Sequence, residues 1–144
     1  MNNDRKLTPD DLDAVSGGTS GGSVVNSGSF KSNTGTALDI IVDWSVVRDS
    51  LGENTLEVQV FTQSYSLTSI ALENGVELTV NGTMYRGRSA AVNYSGRTLA
   101  TSLLASFSIP NLSGPLCLSA VWHFNGTYSG TPLTDIRAEG FANI

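Results

Sequence analysis

The sequence predicts an all-β domain, an antiparallel sandwich of about seven or eight strands, with a short helix ahead of it. Three observations carry that prediction. From Phe30 onward, apolar and polar residues alternate over most of the chain, the period of half-buried strands. Asn-Gly pairs punctuate these runs at Asn74-Gly75, Asn81-Gly82 and Asn125-Gly126, and type I′ hairpin turns require positive φ at both such positions. Met1–Gly18 follows neither pattern and carries its charges densely, Asp4, Asp10, Asp11 and Asp13 against Arg5 and Lys6.

Taken in order, residues 19–29 form a Gly/Ser-rich stretch that reads as a linker, with Val24 and Val25 placed to start an edge strand. The domain proper is expected over 30–144. In its first strong strand Leu38, Ile40, Val42, Trp44 and Val46 share one face, opposite Asp39, Asp43 and Ser45, with Ile41 and Val47 as exceptions. Leu56, Val58 and Val60 repeat the pattern. Leu99, Leu103, Ala105, Phe107 and Ile109 form a third apolar face, and Leu116, Leu118, Ala120, Trp122 and Phe124 a fourth. Ile136, Ala138 and Ala142 mark the last strand. Val76–Val80, Asn81-Gly82 and Thr83–Arg86 make the clearest hairpin, while Ser95-Gly96 and Ser113-Gly114 signal further turns. Strands of this number and spacing favour an immunoglobulin-like sandwich, with a closed barrel as the alternative.

The helix is expected in LTPDDLDAVSGG. Thr8 is a suitable N-cap and Pro9 suits the first helical position, where a missing N–H costs nothing. Asp10 and Asp11 favour the positive end of the helix dipole, and Leu7 and Leu12 have the spacing of a hydrophobic staple. A helix ending near Val15 is too short to persist alone in water, so it should form against a partner groove. This segment resembles the double-glycine leaders of bacteriocin-type precursors. The resemblance implies recognition and cleavage by the peptidase domain of a dedicated ABC exporter. With the cut after Gly18, Gly17 and Gly18 precede it, Val15 is the aliphatic residue four back, and Leu12 and Leu7 stand seven and twelve back. Asp11 is the acidic neighbour of the inner leucine. Gly21-Gly22 fits poorly, since it would put Thr19, Val15 and Asp10 at those three apolar positions. The resemblance covers 1–18 and implies a secreted or surface-attached bacterial product.

The body, from LTVNGTMYRG through AVNYSG and TLATSLLASFSI to LSAVWHFNGTYSG, is similar to immunoglobulin-like modules of phage minor structural (tail) proteins. That similarity rests on strand texture and turns. It implies a decorating or adhesive module, although a double-glycine leader is foreign to phage tails.

Composition narrows the function. A net charge of −5 with scattered Lys and Arg argues against nucleic acid as a partner. No apolar run is long enough for a membrane helix, so membrane insertion is not expected. Met1–Gly22 lacks the hydrophobic segment of a Sec-type signal peptide. Cys117 is the single cysteine, so the core must hold by packing; it reads as a small, partly buried residue. His123, the single histidine, alternates out of the Trp122 face and should be an ordinary surface residue. A Ser-His-Asp triad would need it, with Asp39, Asp43 or Asp135 as orienter, but no G-x-S-x-G elbow accompanies it. Asp49 and Glu53, bracketing the Leu51-Gly52 turn, are the weak candidates for a calcium ligand pair; no metal or other cofactor is expected. Trp44 and Trp122 should face the core. Tyr65, Tyr85, Tyr94 and Tyr128, near strand ends or loops, are the candidate ligand-binding residues. The Asn-X-Ser/Thr triplets at Asn81, Asn93, Asn111 and Asn125 read as turn chemistry. The expectation is a non-enzymatic extracellular module for adhesion or surface structure, with an unidentified protein or glycan as partner and sheet edges that could pair two copies. A bacteriocin-like antagonist is the alternative.

Overall fold

The computed structural model describes residues 22–144. The leader residues Leu7, Asp11, Leu12, Val15, Gly17 and Gly18, and the helix expected on them, lie outside the described residues.

The described residues form ten strands: β1 (Ser23–Lys31), β2 (Asp39–Arg48), β3 (Asn54–Ser64), β4 (Leu67–Ser69), β5 (Leu72–Val80), β6 (Thr83–Ser89), β7 (Val92–Tyr94), β8 (Ala100–Pro110), β9 (Pro115–Tyr128) and β10 (Thr131–Asn143). Every pairing is antiparallel. One four-stranded sheet has the order β1-β2-β3-β8 and the other β10-β9-β5-β6, while β4 and β7 pair as a short ribbon. The chain crosses between the large sheets three times, from β3 to β5 through β4, from β6 to β8 through β7, and directly from β8 to β9.

Alternation explains the core. Leu38, Ile40, Val42 and Val46, then Leu56, Val58 and Val60, line the inner face of the first sheet without exposure. Val76, Leu78, Leu118, Ala120, Trp122, Ile136 and Ala138 meet them from the second, in one buried cluster. Both tryptophans are buried, as their faces required. Thr62 sits in this interior with its hydroxyl unpaired among the described residues.

Four expectations are corrected. The stretch read as a linker over 19–29 holds most of an edge strand, because β1 pairs with β2 from Ser23↔Arg48 to Lys31↔Ile41. An edge strand is held by its backbone ladder and needs few apolar side chains. Its Gly28 is required by packing, since a Cβ there would lie 2.6 Å from the Trp44 ring. Leu99, just before β8, and Leu103 within it are exposed while Leu104 is buried. A bulge opposite Val60/Phe61 shifts the register by one residue, and one residue exchanges the faces. Cys117 is exposed, standing between the inward Leu116 and Leu118. Finally, Asn81-Gly82 turns β5 into β6 with φ of 48° and 89°, but Asn74-Gly75 and Asn125-Gly126 lie inside strands. The turn between β9 and β10 is Ser129-Gly130, with φ of 49° and 80°. Of the triplet asparagines, Asn81, Asn111 and Asn125 have positive φ, whereas Asn93 lies within β7.

Candidate functional site

The two displaced Asn-Gly pairs build the site. β5 and β9 pair from Val80↔Leu118 to Val76↔Trp122, and there the ladder ends. Immediately beyond, both strands bulge away from their outer neighbours. On β5, Glu73, Asn74 and Gly75 stand opposite Arg88 alone, with Asn74 at φ 56°. On β9, Phe124 and Asn125 stand opposite Thr134 alone, with Asn125 at φ 50°. Bulges increase local twist and re-aim side chains. The strands therefore part, and a cleft of about 420 Å³ lies between Thr68–Leu72 and Trp122–Thr127. Its volume falls in the range of small-molecule sites. Ile70 and Leu72 present exposed apolar surface on one wall. Phe124, Asn125 and Thr127 bring an aromatic ring, an amide and a hydroxyl to the other. The Phe124 ring centroid lies 5.0 Å from that of buried Trp122, so this wall is anchored in the core.

His123 stands where the ladder stops. Its side chain, 28% exposed, points away from the core onto the outer face of the second sheet. Nδ1 lies 2.8 Å from Asp135 Oδ1 on β10, and Nε2 lies 3.3 Å from Glu77 Oε1 on β5. The other Glu77 oxygen accepts from Arg86 Nε on β6 at 3.0 Å. One polar row thus ties all four strands of the sheet: Asp135, His123, Glu77, Arg86. Asp135 is the directly paired neighbour of His123, and Glu77 of Arg86, so register supplies both pairs. The hydrogen bond to the Asp135 carboxylate is the largest influence on His123; with the Asp135 charge and the Glu77 carboxylate it outweighs partial burial and holds the imidazole above its ordinary value. The Arg86 hydrogen bond holds the Glu77 carboxyl below its ordinary value, helped by His123 and opposed by desolvation.

This geometry suits holding rather than proton abstraction. A general base needs a free ring nitrogen aimed at a substrate. Both His123 nitrogens here face carboxylate oxygens. Cys117 lies six residues away along the same strand, about 20 Å at roughly 3.3 Å per residue, so it makes no thiol–imidazole pair.

The residues singled out from the sequence are dispersed. Tyr128 is a core residue, 6% exposed, whose hydroxyl accepts from the Tyr65 backbone N–H at 3.2 Å; a ligand-contacting role for it is corrected to a packing role. Tyr65 itself is 45% exposed. Tyr85 packs against the core from β6. Tyr94 lies half-buried on β7, and its hydroxyl is 2.7 Å from Thr98 Oγ1. The ribbon of β4 and β7 carries Tyr94 opposite Leu67, next to the Thr68–Ser69 wall of the cleft. Asp49 Oδ1 accepts from the N–H groups of Leu51 and Glu53, each at 2.9 Å, and so caps its own turn. Among the described residues no group of three or more His, Cys, Asp or Glu side chains could hold a metal ion. Among them also, no helix is long and apolar enough to cross a membrane. Asp135 was one of three aspartates, with Asp39 and Asp43, read as possible partners of His123; Glu77, Arg86 and the cleft were not legible. Their signal was present in the charge alternation of Glu77 and Arg86 about the Asn81-Gly82 hairpin, whose two-residue loop places them directly opposite one another.

No family model, curated protein or solved structure matches this chain.

Proposed function

We propose that the chain is the precursor of an exported, non-enzymatic binding module. It is an immunoglobulin-like sandwich released by cleavage after Gly18 in a peptidase-containing ABC exporter, and it acts outside the bacterial cell in adhesion or surface recognition. The observation that carries the reading is the spacing of Leu7, Leu12, Val15, Gly17 and Gly18 ahead of a fold whose first strand begins at Ser23. A cut after Gly18 leaves every strand of the described residues intact. The order β10-β9-β5-β6 against β1-β2-β3-β8 supports the immunoglobulin-like part, with β5, β9 and β10 in the places of the C, F and G strands and β6 beside β5 as in variable-type domains. The departure is β7, which follows β6 but pairs with β4 instead of edging the first sheet.

The cleft between Thr68–Leu72 and Trp122–Thr127 is the proposed binding site, for an extracellular protein segment or a glycan. Its mix of exposed aliphatic surface, an aromatic ring and neutral polar groups suits either. The occupied ring nitrogens of His123 support a binding role over hydrolysis.

The decisive measurement is the intact mass of the product released by cells carrying the exporter. A species beginning at Thr19 is expected; full-length protein kept inside the cell overturns the reading and favours a phage-type structural module. Labelled mature protein should then decorate target cells, and Ile70→Asp, at a site 77% exposed, should weaken decoration without altering the fold. Killing of related strains in place of adhesion would favour the bacteriocin-like alternative, which the leader class supports.

A further inference from the structure

We infer that His123 is a pH-dependent latch beside the cleft: as the imidazolium it clamps the last pair of the β5–β9 ladder, and on losing a proton it loosens that end. The inference concerns regulation of the proposed binding site and rests on that reading for its consequence, but not for the latch itself.

The protonation states differ in what the ring can donate. The imidazolium has N–H groups at both nitrogens, and here each meets a carboxylate, Asp135 Oδ1 at 2.8 Å and Glu77 Oε1 at 3.3 Å. Neutral imidazole keeps one N–H, and its other nitrogen turns a lone pair toward a carboxylate oxygen. The shorter bond, to Asp135, retains the proton. The bond lost is therefore the one to Glu77, and a lone pair facing an anion replaces it. Glu77 does not follow the ring, because Arg86 holds its second oxygen at 3.0 Å.

The position of the lost tie gives the change its effect. Backbone pairing of β5 and β9 stops at Val76↔Trp122. His123, one residue beyond that pair on β9, reaches back diagonally to Glu77, which is paired with Val121 inside the ladder, so the tie spans the last pair and the cleft opens beyond it. Releasing it leaves Val76↔Trp122 held by backbone pairing alone, so that end of the ladder frays more readily toward the bulged segments, while the β9–β10 pair Asp135↔His123 stays joined.

The charges around the ring are few. From β10 it faces Asp135, with Arg137 further along bonded to Ser119 at 2.9 Å. From β5 it faces Glu77, which carries Arg86 of β6 behind it. Glu73 on the β5 bulge is paired with Arg88 at 2.6 Å. The wall from Thr68 to Leu72 has no charged residue. Asp135 and Glu77 both favour the charged ring, so it titrates above the ordinary histidine value.

The test is made on the full chain without ligand. Proton NMR follows the His123 ring while hydrogen exchange reports the amides of His123–Thr127 and Leu72–Val76, corrected for intrinsic base catalysis. The expected result is a roughly two- to fivefold loss of protection, the size of a partly exposed ion pair, with the same midpoint as the ring. Asp135→Asn should lower both midpoints together. Glu77→Gln should flatten the pH dependence, because an amide can accept from the charged ring and donate to the neutral one. Protection unchanged through the His123 titration, or the same loosening in His123→Gln, overturns the latch. Since no ligand is present, that failure is separate from a failure of the cleft to bind.

Discussion

The two halves of β9 have opposite characters. From Leu118 to Trp122 the strand lies between β5 and β10, and its inward side chains are almost without exposure. From His123 to Tyr128 it keeps β10, but among the described residues β5 no longer pairs with it, and His123–Thr127 line a cleft. Both halves alternate in sequence, and both have strand backbone. The difference is a bulge at Phe124/Asn125 and its counterpart at Glu73–Gly75 on β5. The first half supplies stability through packing, and the second half gives up pairing to make a site.

The largest way to break this division is at its boundary. Trp122, 1% exposed, is the last residue of the paired half. Trp122→Ala should cost about 3–5 kcal/mol, read as a fall in the urea midpoint at unchanged slope. A cost near that of a surface substitution would mean that the core does not extend to the cleft.

The bulge on β5 comes next. A Cβ at Gly75 would overlap Ser89 and lie 2.9 Å from the Leu72 carbonyl oxygen. Gly75→Ala should cost about 2–3 kcal/mol, and adding Ser89→Gly should recover part of it. Independent, additive costs would place the strain elsewhere.

A matched pair of asparagines sharpens the contrast between turn and bulge. Both have positive φ, which costs other residues about 1–2 kcal/mol. Asn81 also accepts from Cys117 N–H at 2.7 Å and donates to the Pro115 carbonyl at 3.3 Å. Asn81→Ala should therefore cost about 2 kcal/mol and Asn125→Ala about 1 kcal/mol, while Asn125→Gly stays within about 0.5 kcal/mol of the parent. Chemical denaturation of the three variants gives the order directly, and equal costs for the two alanines would deny Asn81 its extra bonds.

The smallest effect is electrostatic. His123 is raised from its ordinary value of 6.5, so its contribution is complete below that pH and is lost as pH rises through the folded-state value. Glu77 is lowered from 4.5, so its contribution is present above that pH and is lost as pH falls through its folded-state value. The stability excess of the parent over His123→Gln should be widest between the two ordinary values and shrink on either side. Its maximum should stay under about 1 kcal/mol for pairs this exposed. An excess that grows toward alkaline pH would reverse the assignment of both ring nitrogens.

Much of the fold was legible because its signal is local and repeated. Leu38, Ile40, Val42 and Trp44 alternate with only Ile41 out of pattern, and burying them favours one face. Asn81-Gly82 sits between two runs that each need the other, so the hairpin was legible too. The bulges were not. Asn74-Gly75 and Asn125-Gly126 carry the same backbone permission as Asn81-Gly82, and nothing in the dipeptide says whether the chain will reverse or merely swell.

The sequence alone therefore determined the all-β class, the inward positions of both tryptophans and the outward position of His123. Those follow from a two-residue period that each strand carries within itself. Only the tertiary structure decided that Leu104 and not Leu103 turns inward, that Ser129-Gly130 makes the last turn, and that Glu77 reaches His123. Each depends on the register between strands, which is set when all the inner faces are buried together. The cleft belongs to the same class, for it exists only where two registers fail to continue side by side.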